Sequence, residues 1–160
     1  MVENIKIRKY QNVDFREVCL LIAKTFRKFN SKEGTKKGVK DFVNFYRHYK
    51  LNREKILVEF NKNNIFYVAL NDFGEIIGVV IGNKNRLCNL FVDEDYQGRG
   101  IGIGLLKKFE SECRSNGSKE INIRSSLHGV SFYEKNGYKK VSYVTSMKGV
   151  MVQPMVKRLK

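Results

Sequence analysis

Apolar residues recur along this chain in two rhythms, and the change of rhythm divides it into helices and strands. From Asn12 or Asp14, either a good cap, the residues Phe15, Val18, Ile22, Phe26 and Phe29 fall three or four apart and predict an amphipathic helix to about Phe29. The Asn30-Ser31-Lys32-Glu33-Gly34 segment breaks it. Val39, Phe42, Val43, Tyr46 and Tyr49 repeat the helical spacing, and Ile56, Leu57 and Phe60 mark a further short helix. Ile5 to Arg8, Ile65 to Leu70, Ile76 to Gly82 and Arg86 to Val92 read as strands, with Asn71-Asp72-Phe73-Gly74 a turn by composition. Leu105, Leu106 and Phe109 carry a helix that runs to about Arg114 and stops at Asn116-Gly117. Ile121 to Ser125 alternates as a strand, Gly129 to Asn136 is a short helix closed by Gly137, and Tyr138 to Val144 and Val152 to Leu159 read as final strands. The order predicts an α/β or α+β fold around one sheet of six or seven strands.

Between the fourth strand and the long helix lies Asp93-Glu94-Asp95-Tyr96-Gln97-Gly98-Arg99-Gly100-Ile101-Gly102. Alternate glycines let the backbone turn sharply and leave its N–H groups open to a ligand. The first turn of the helix that follows has N–H groups without intrahelical partners and the positive end of the macrodipole, so a phosphate is the expected guest. Two common phosphate loops are excluded by spacing. A dinucleotide fingerprint begun at Gly98 needs glycine where Ile103 stands, and no G-x-x-x-x-G-K-[ST] occurs.

What remains, Gln97-Gly98-Arg99-Gly100-Ile101-Gly102 after a strand, resembles the [QR]-x-x-G-x-[GA] loop of the GNAT superfamily of acyl-CoA-dependent N-acetyltransferases. A second stretch, Ser126-Leu127-His128-Gly129-Val130-Ser131-Phe132-Tyr133 to Tyr138, resembles the family's later signature, a helix carrying Phe-Tyr and ending at a Gly before an aromatic. The resemblance spans about Ile65 to Tyr143. It implies a single N-acetyltransferase domain over residues 1–160, with a mixed, mostly antiparallel sheet of six to seven strands and about four helices. It also implies acetyl-CoA as cosubstrate, its pyrophosphate on the N–H groups of Gln97, Gly98, Arg99, Gly100, Ile101 and Gly102. The pantetheine arm would run along Leu90, Phe91 and Val92 and receive a hydrogen bond from Ser126. Tyr133 is implied as the general acid that protonates the departing thiolate, with Phe132 packing inward and the oxyanion donor a backbone N–H near Phe91 or Val92. Phe29, Phe42, Phe45, Tyr46 and Tyr49 are candidates to shape the acceptor site.

The sequence departs from the family at three points. Arg86 to Val92 holds no acid where many members carry a glutamate, so no base is assigned, with Glu75, His48 and His128 as unranked possibilities. Ser126 stands where many members have Asn, and Gly129 where most have Ala, a change that by propensity alone weakens a helix by about 1 kcal/mol. The missing acid keeps open an alternative, an acyl-CoA-binding regulatory module without efficient catalysis.

At 160 residues the chain is expected to form one domain. Three cysteines, Cys19, Cys88 and Cys113, show no metal-ligand spacing, and Cys88 reads as a small buried thiol. The acidic triplet Asp93-Glu94-Asp95 lacks the spacing of a calcium loop and reads as a solvated turn, so no metal is expected. Met1 to Tyr10 has no signal-peptide pattern and no apolar run spans a bilayer, so the protein reads as cytoplasmic without a membrane partner. The net charge of +15 leans toward the N-terminal third, where residues 1–55 hold 15 Lys and Arg against 6 Asp and Glu. The excess is scattered and reads first as solvated surface, with attraction of anions as the functional reading and no nucleic-acid partner expected. It argues against a polycationic acceptor. The expected partner is a small-molecule or peptide amine, with a homodimer common in the family.

Overall fold

The run Ile-Phe-Tyr-Val-Ala-Leu at Ile65–Leu70 is β-branched and aromatic on both faces, and such a strand is stable only in the middle of a covered sheet. In the computed structural model, which describes residues 3–160, it is an interior strand paired on both sides. Met1 and Val2, which open the charge-alternating first stretch, lie outside the described residues. The strands are β1 (Lys6–Lys9), β2 (Ile65–Leu70), β3 (Ile76–Asn83), β4 (Arg86–Val92), β5 (Glu120–Ser126), β6 (Lys139–Lys140), β7 (Thr145–Met147) and β8 (Val150–Arg158). The helices are α1 (Phe15–Asn30), α2 (Lys36–Arg47), α3 (Arg53–Asn61), α4 (Ile101–Ser115) and α5 (Val130–Lys135). All belong to one open sheet of order β1-β2-β3-β4-β5-β8-β6, with β7 also on β8. Every pairing is antiparallel except β4 with β5.

Each face of the sheet has its own core. On one, Phe15, Val18, Ile22 and Phe26 of α1, with Tyr46 and Phe60, bury Phe66, Val68, Val79 and Ile81. On the other, Leu105, Leu106 and Phe109 of α4 cover Tyr67, Val80, Leu87 and Ile121, joined by Tyr133, Tyr138 and Met155. The alternation within β2 and β3 thus feeds two layers of helices.

Four expectations need correction. Among the described residues the sheet has eight strands and five helices flank it, because only Lys139–Lys140 of the predicted Tyr138–Val144 strand forms one (β6) and a further short strand, β7, follows at Thr145–Met147. Pro154 of β8 is the cause: its carbonyl accepts from the Val141 N–H (3.2 Å), but it has no N–H to return. The ladder fails there, and the Gln153 side chain bonds the Ser142 carbonyl instead (2.7 Å). Asp14 does not cap α1; its carboxylate turns back to the Arg8 guanidinium (2.7 and 2.9 Å) and the Gln11 N–H (2.8 Å), and that pairing holds it below the ordinary carboxylate range. Tyr49 lies past the end of α2. Cys88 is exposed rather than buried, because the register slips between Ile81 and Gly82 and leaves Cys88 as the extra residue of a bulge.

The β7–β8 hairpin closes through Lys148 and Gly149, both at positive φ (51° and 81°), the two-residue turn that matches strand twist. The Gly149 carbonyl accepts from the Thr35 N–H (2.8 Å), and Gly34 bridges Val150. A Cβ on Gly38 would lie 2.5 Å from Gly149 backbone atoms, so a glycine is what lets the first turn of α2 approach the hairpin.

Candidate active site

A parallel ladder has evenly spaced bonds, and here it lasts only two registers, Arg86 with Asn122 and Leu87 with Ile123. Beyond them β4 and β5 part, β5 staying with β8 as far as Ser126 and β4 staying with β3 as far as Val92. The Asp93 N–H donates to the Ile77 carbonyl (2.8 Å), so strand alternation turns the N–H groups of Phe91 and Asn89 toward β3 and those of Leu90 and Val92 toward the gap. Of the two oxyanion donors that the resemblance offered, Val92 is the one on the open edge. Leu90, Phe91 and Val92 are half-buried although their strand is central.

The glycine loop closes one end of this gap. Gly98 and Gly100 have φ of 75° and 79°, and Gly100 is the N-cap of α4. A Cβ on either would meet nothing within 4 Å, so these two glycines are set by backbone conformation and leave open space outside the loop. The first helical bond runs from the Gly104 N–H to the Gly100 carbonyl (3.0 Å), which leaves the N–H groups of Ile101, Gly102 and Ile103 ahead of it at the positive end of the helix. Two predicted ligand residues spend their side chains on the protein. Gln97 Nε2 donates to the Val92 carbonyl (2.9 Å), tying the loop to the strand. Arg99 pairs with Glu3, donates to the Asp95 carbonyl (3.0 Å) and lies 5.0 Å over the Tyr96 ring. What the loop offers an anion is therefore its backbone.

The acidic triplet is paired rather than simply solvated: Asp93 binds Lys24 (2.9 Å) and Glu94 binds Lys28 (3.2 Å), docking α1 on the loop.

The other wall is the turn from β5 into α5. Ser126 Oγ accepts from the Gly129 N–H (3.1 Å), and its own O–H remains available to donate. A Cβ on Gly129 would lie 3.1 Å from Ser125 Oγ, 3.2 Å from Ser126 Oγ and 3.3 Å from Tyr133 Cε2. Glycine here is thus fitted to a crowded turn, which helix propensity did not reveal. Both rings of the Phe-Tyr pair pack inward: Phe132, half-buried, lies against the core as expected, and Tyr133 is buried more deeply (7% exposed). On a helix of six residues, the 100° step between neighbours sends Tyr133 to the sheet, edge-on to Tyr138 (5.4 Å), and Phe132 to the start of α4, 3.5 Å from where a Gly102 Cβ would stand. Burial pushes the Tyr133 phenol above its ordinary value. Val92 Cγ2 lies 3.8 Å from that same Gly102 position. Strand end, loop and α5 therefore meet around Gly102, with Ser126 and Tyr133 packed about Gly129.

Sequence reasoning missed Glu33. Its carboxylate, buried in the turn between α1 and α2, accepts from the His128 N–H (2.6 Å) and from Asn30, and the Phe29 ring stacks on the His128 ring (4.7 Å). The break signal marked the turn, but nothing local pointed to a partner 95 residues away. Of the possible bases, His128 borders the site. Glu75 bonds Asn71 in the β2–β3 turn, and His48 is exposed at the end of α2. Phe42, Tyr46 and Tyr49 pack against Phe26, Phe60 and Phe15, and Phe45 lies edge-on to Tyr46, so of the five candidate aromatics Phe29 is the one that reaches the β5–α5 turn.

The family model described as the acetyltransferase (GNAT) domain matches residues 30–159. YxbD of Bacillus subtilis, an uncharacterized protein, is 32% identical over 78 residues, 46% of this chain, and the match spans 49% of that relative's length. A spermidine N(1)-acetyltransferase of Thermoplasma acidophilum is 29% identical over 110 residues, covering 62% of this chain and 68% of that protein. The crystal structure of PaiA N-acetyltransferase from the same organism, in complex with coenzyme A, superposes with a TM-score of 0.76 at 22% identity over 98% of this chain and 99% of that one.

Proposed function

Because the chain belongs to the acetyltransferase (GNAT) domain family, we propose that residues 1–160 act as one N-acetyltransferase domain that moves an acetyl group from acetyl-CoA to a primary amine by direct attack. The observation that carries this reading is the junction of two features at Gly102: a gap between β4 and β5, and a helix N-terminus whose N–H groups precede the first helical bond. The open space outside Gly98 and Gly100 fits a pyrophosphate. Ile101, Gly102 and Ile103 would hold it by their N–H groups, Leu90 would bond an amide-bearing arm, and the Ser126 O–H would donate to it. Bound there, acetyl-CoA supplies an activated acyl group.

The chain's own residues do the rest. Tyr133 holds a proton on its phenolic oxygen throughout the neutral range, since burial raises its pKa, and serves as the general acid. The Val92 N–H offers a donor to developing negative charge. Gln97 fixes the loop to the strand so that both donors keep their relation. The named relatives include a spermidine acetyltransferase, which supports an amine acceptor.

Calorimetric titration with acetyl-CoA tests this directly. The wild type should bind with a micromolar Kd, and Gly102→Glu, whose Cβ has room but which brings a negative charge to the proposed anion site, should show no heat. Absence of binding by the wild type overturns the reading. Binding without thiol release on any amine would instead favour the regulatory module that the acid-free β4 suggests.

A further inference from the structure

Two adjoining cavities, of about 340 Å³ and 260 Å³, lie in the groove between α1 and α2 and share Arg27, Val43 and Arg47. The first is rimmed by Arg27, Lys36, Lys40 and Arg47 over an apolar lining that includes Val39 and Val43. Among the described residues none of these four cations has a carboxylate within ion-pair distance, although Lys24, Lys28 and Lys37 nearby do. Residues 27–55 hold ten Lys and Arg against three Asp and Glu, and four of the ten rim the groove.

The arrangement of the cations selects the ligand. Lys36, Lys40, Val43 and Arg47 are spaced four, three and four apart and form one stripe on α2. From Lys36 to Arg47 the stripe runs about 16 Å at 1.5 Å per residue. A small anion reaches one end of it, whereas an extended peptide of about five residues, at roughly 3.3 Å each, spans it. The lining contains no aromatic side chain, so a single-stranded nucleic acid would find phosphate partners but no ring on which to stack its bases. Carboxylates can pair with the rim while an aliphatic side chain between them covers the half-buried Val39.

We infer that the α1–α2 groove docks an extended acidic peptide segment with aliphatic residues, carried by a protein whose amine is the acceptor. The groove adjoins the active site through Lys24, which lines the second cavity and pairs with Asp93 one residue beyond β4. The link to an acceptor rests on the transferase reading; the docking itself does not. A polycation such as spermidine is repelled by this surface, which separates the chain from its spermidine-acetylating relative.

Fluorescence anisotropy of a labelled, end-capped hexapeptide of four glutamates and two leucines measures the docking on the full chain. Arg27→Glu/Arg47→Glu should weaken binding at least about tenfold, while Lys55→Glu/Lys139→Glu, an equal charge change at exposed sites outside the groove, should weaken it less than about twofold. Equal losses in both variants, no saturable binding by the wild type, or tighter binding of a hexathymidylate would overturn the inference. Acetyl-CoA calorimetry on the same proteins keeps the two readings apart. Peptide binding without acetyl-CoA binding defeats the transferase assignment alone, and acetyl-CoA binding without peptide binding defeats the groove alone.

Discussion

At the scale of single residues, the site depends on which of two neighbouring rings is buried. Tyr133 takes the sheet-facing position and Phe132 the position against α4. Tyr133→Phe keeps that packing and removes only the proton donor, so turnover should fall about a hundredfold with the KM for acetyl-CoA nearly unchanged, read by continuous thiol release. The same burial fixes the pH response. As the proposed general acid Tyr133 works in its protonated form and burial raises the phenol's pKa, so loss of activity from this group should begin above pH 10, the ordinary tyrosine value, and not below it. The sequence disclosed Tyr133 through its motif but not its orientation, because a six-residue helix shows less than two turns of periodicity. It disclosed Gly129 as a mere propensity loss, because the two serine hydroxyls that crowd it become neighbours only in the folded turn.

At the scale of elements, α1, α4 and β2 to β4 were legible because each carries a long, regular pattern that packing then obeys. The C-terminal strands were less so. The decisive fact there is the missing N–H of Pro154, which acts on β6 and β7 across the sheet rather than on its own segment. The contact between α2 and the β7–β8 hairpin is another such long-range fact. Gly38→Ala would force a methyl carbon to within 2.5 Å of Gly149 backbone atoms, so it should destabilise the fold by about 1–3 kcal/mol although alanine favours helices. Urea denaturation followed by circular dichroism checks this, and an unchanged or raised midpoint would mean that the hairpin can yield at no cost. Glu33 gives the same region a second tie, from the α1–α2 turn to the entrance of α5, so three segments distant in sequence share one support.

For the whole molecule, the charge of +15 is anisotropic, and its concentration on α1, α2 and their surroundings became meaningful only once the two helices were seen to form a groove. Among the described residues no helix is long and apolar enough to cross a membrane. The fold class was readable from the order of elements, whereas the parting of β4 from β5 was not, since no residue type encodes the end of a ladder. That parting leaves the ladders β1 to β4 and β5 to β8 joined, among the described residues, at Arg86–Leu87 and Asn122–Ile123, with the core under α4 shared by both. The amides of Leu90 and Val92 should therefore exchange hydrogen for deuterium far faster than those of Phe91 or Val79, despite their position at the middle of the sheet. In the proposed complex a coenzyme arm laid along them would act as one more strand of the sheet, of non-protein origin, slowing that exchange. The bound cosubstrate would then be a structural member of the molecule, filling the gap that the ladder leaves open.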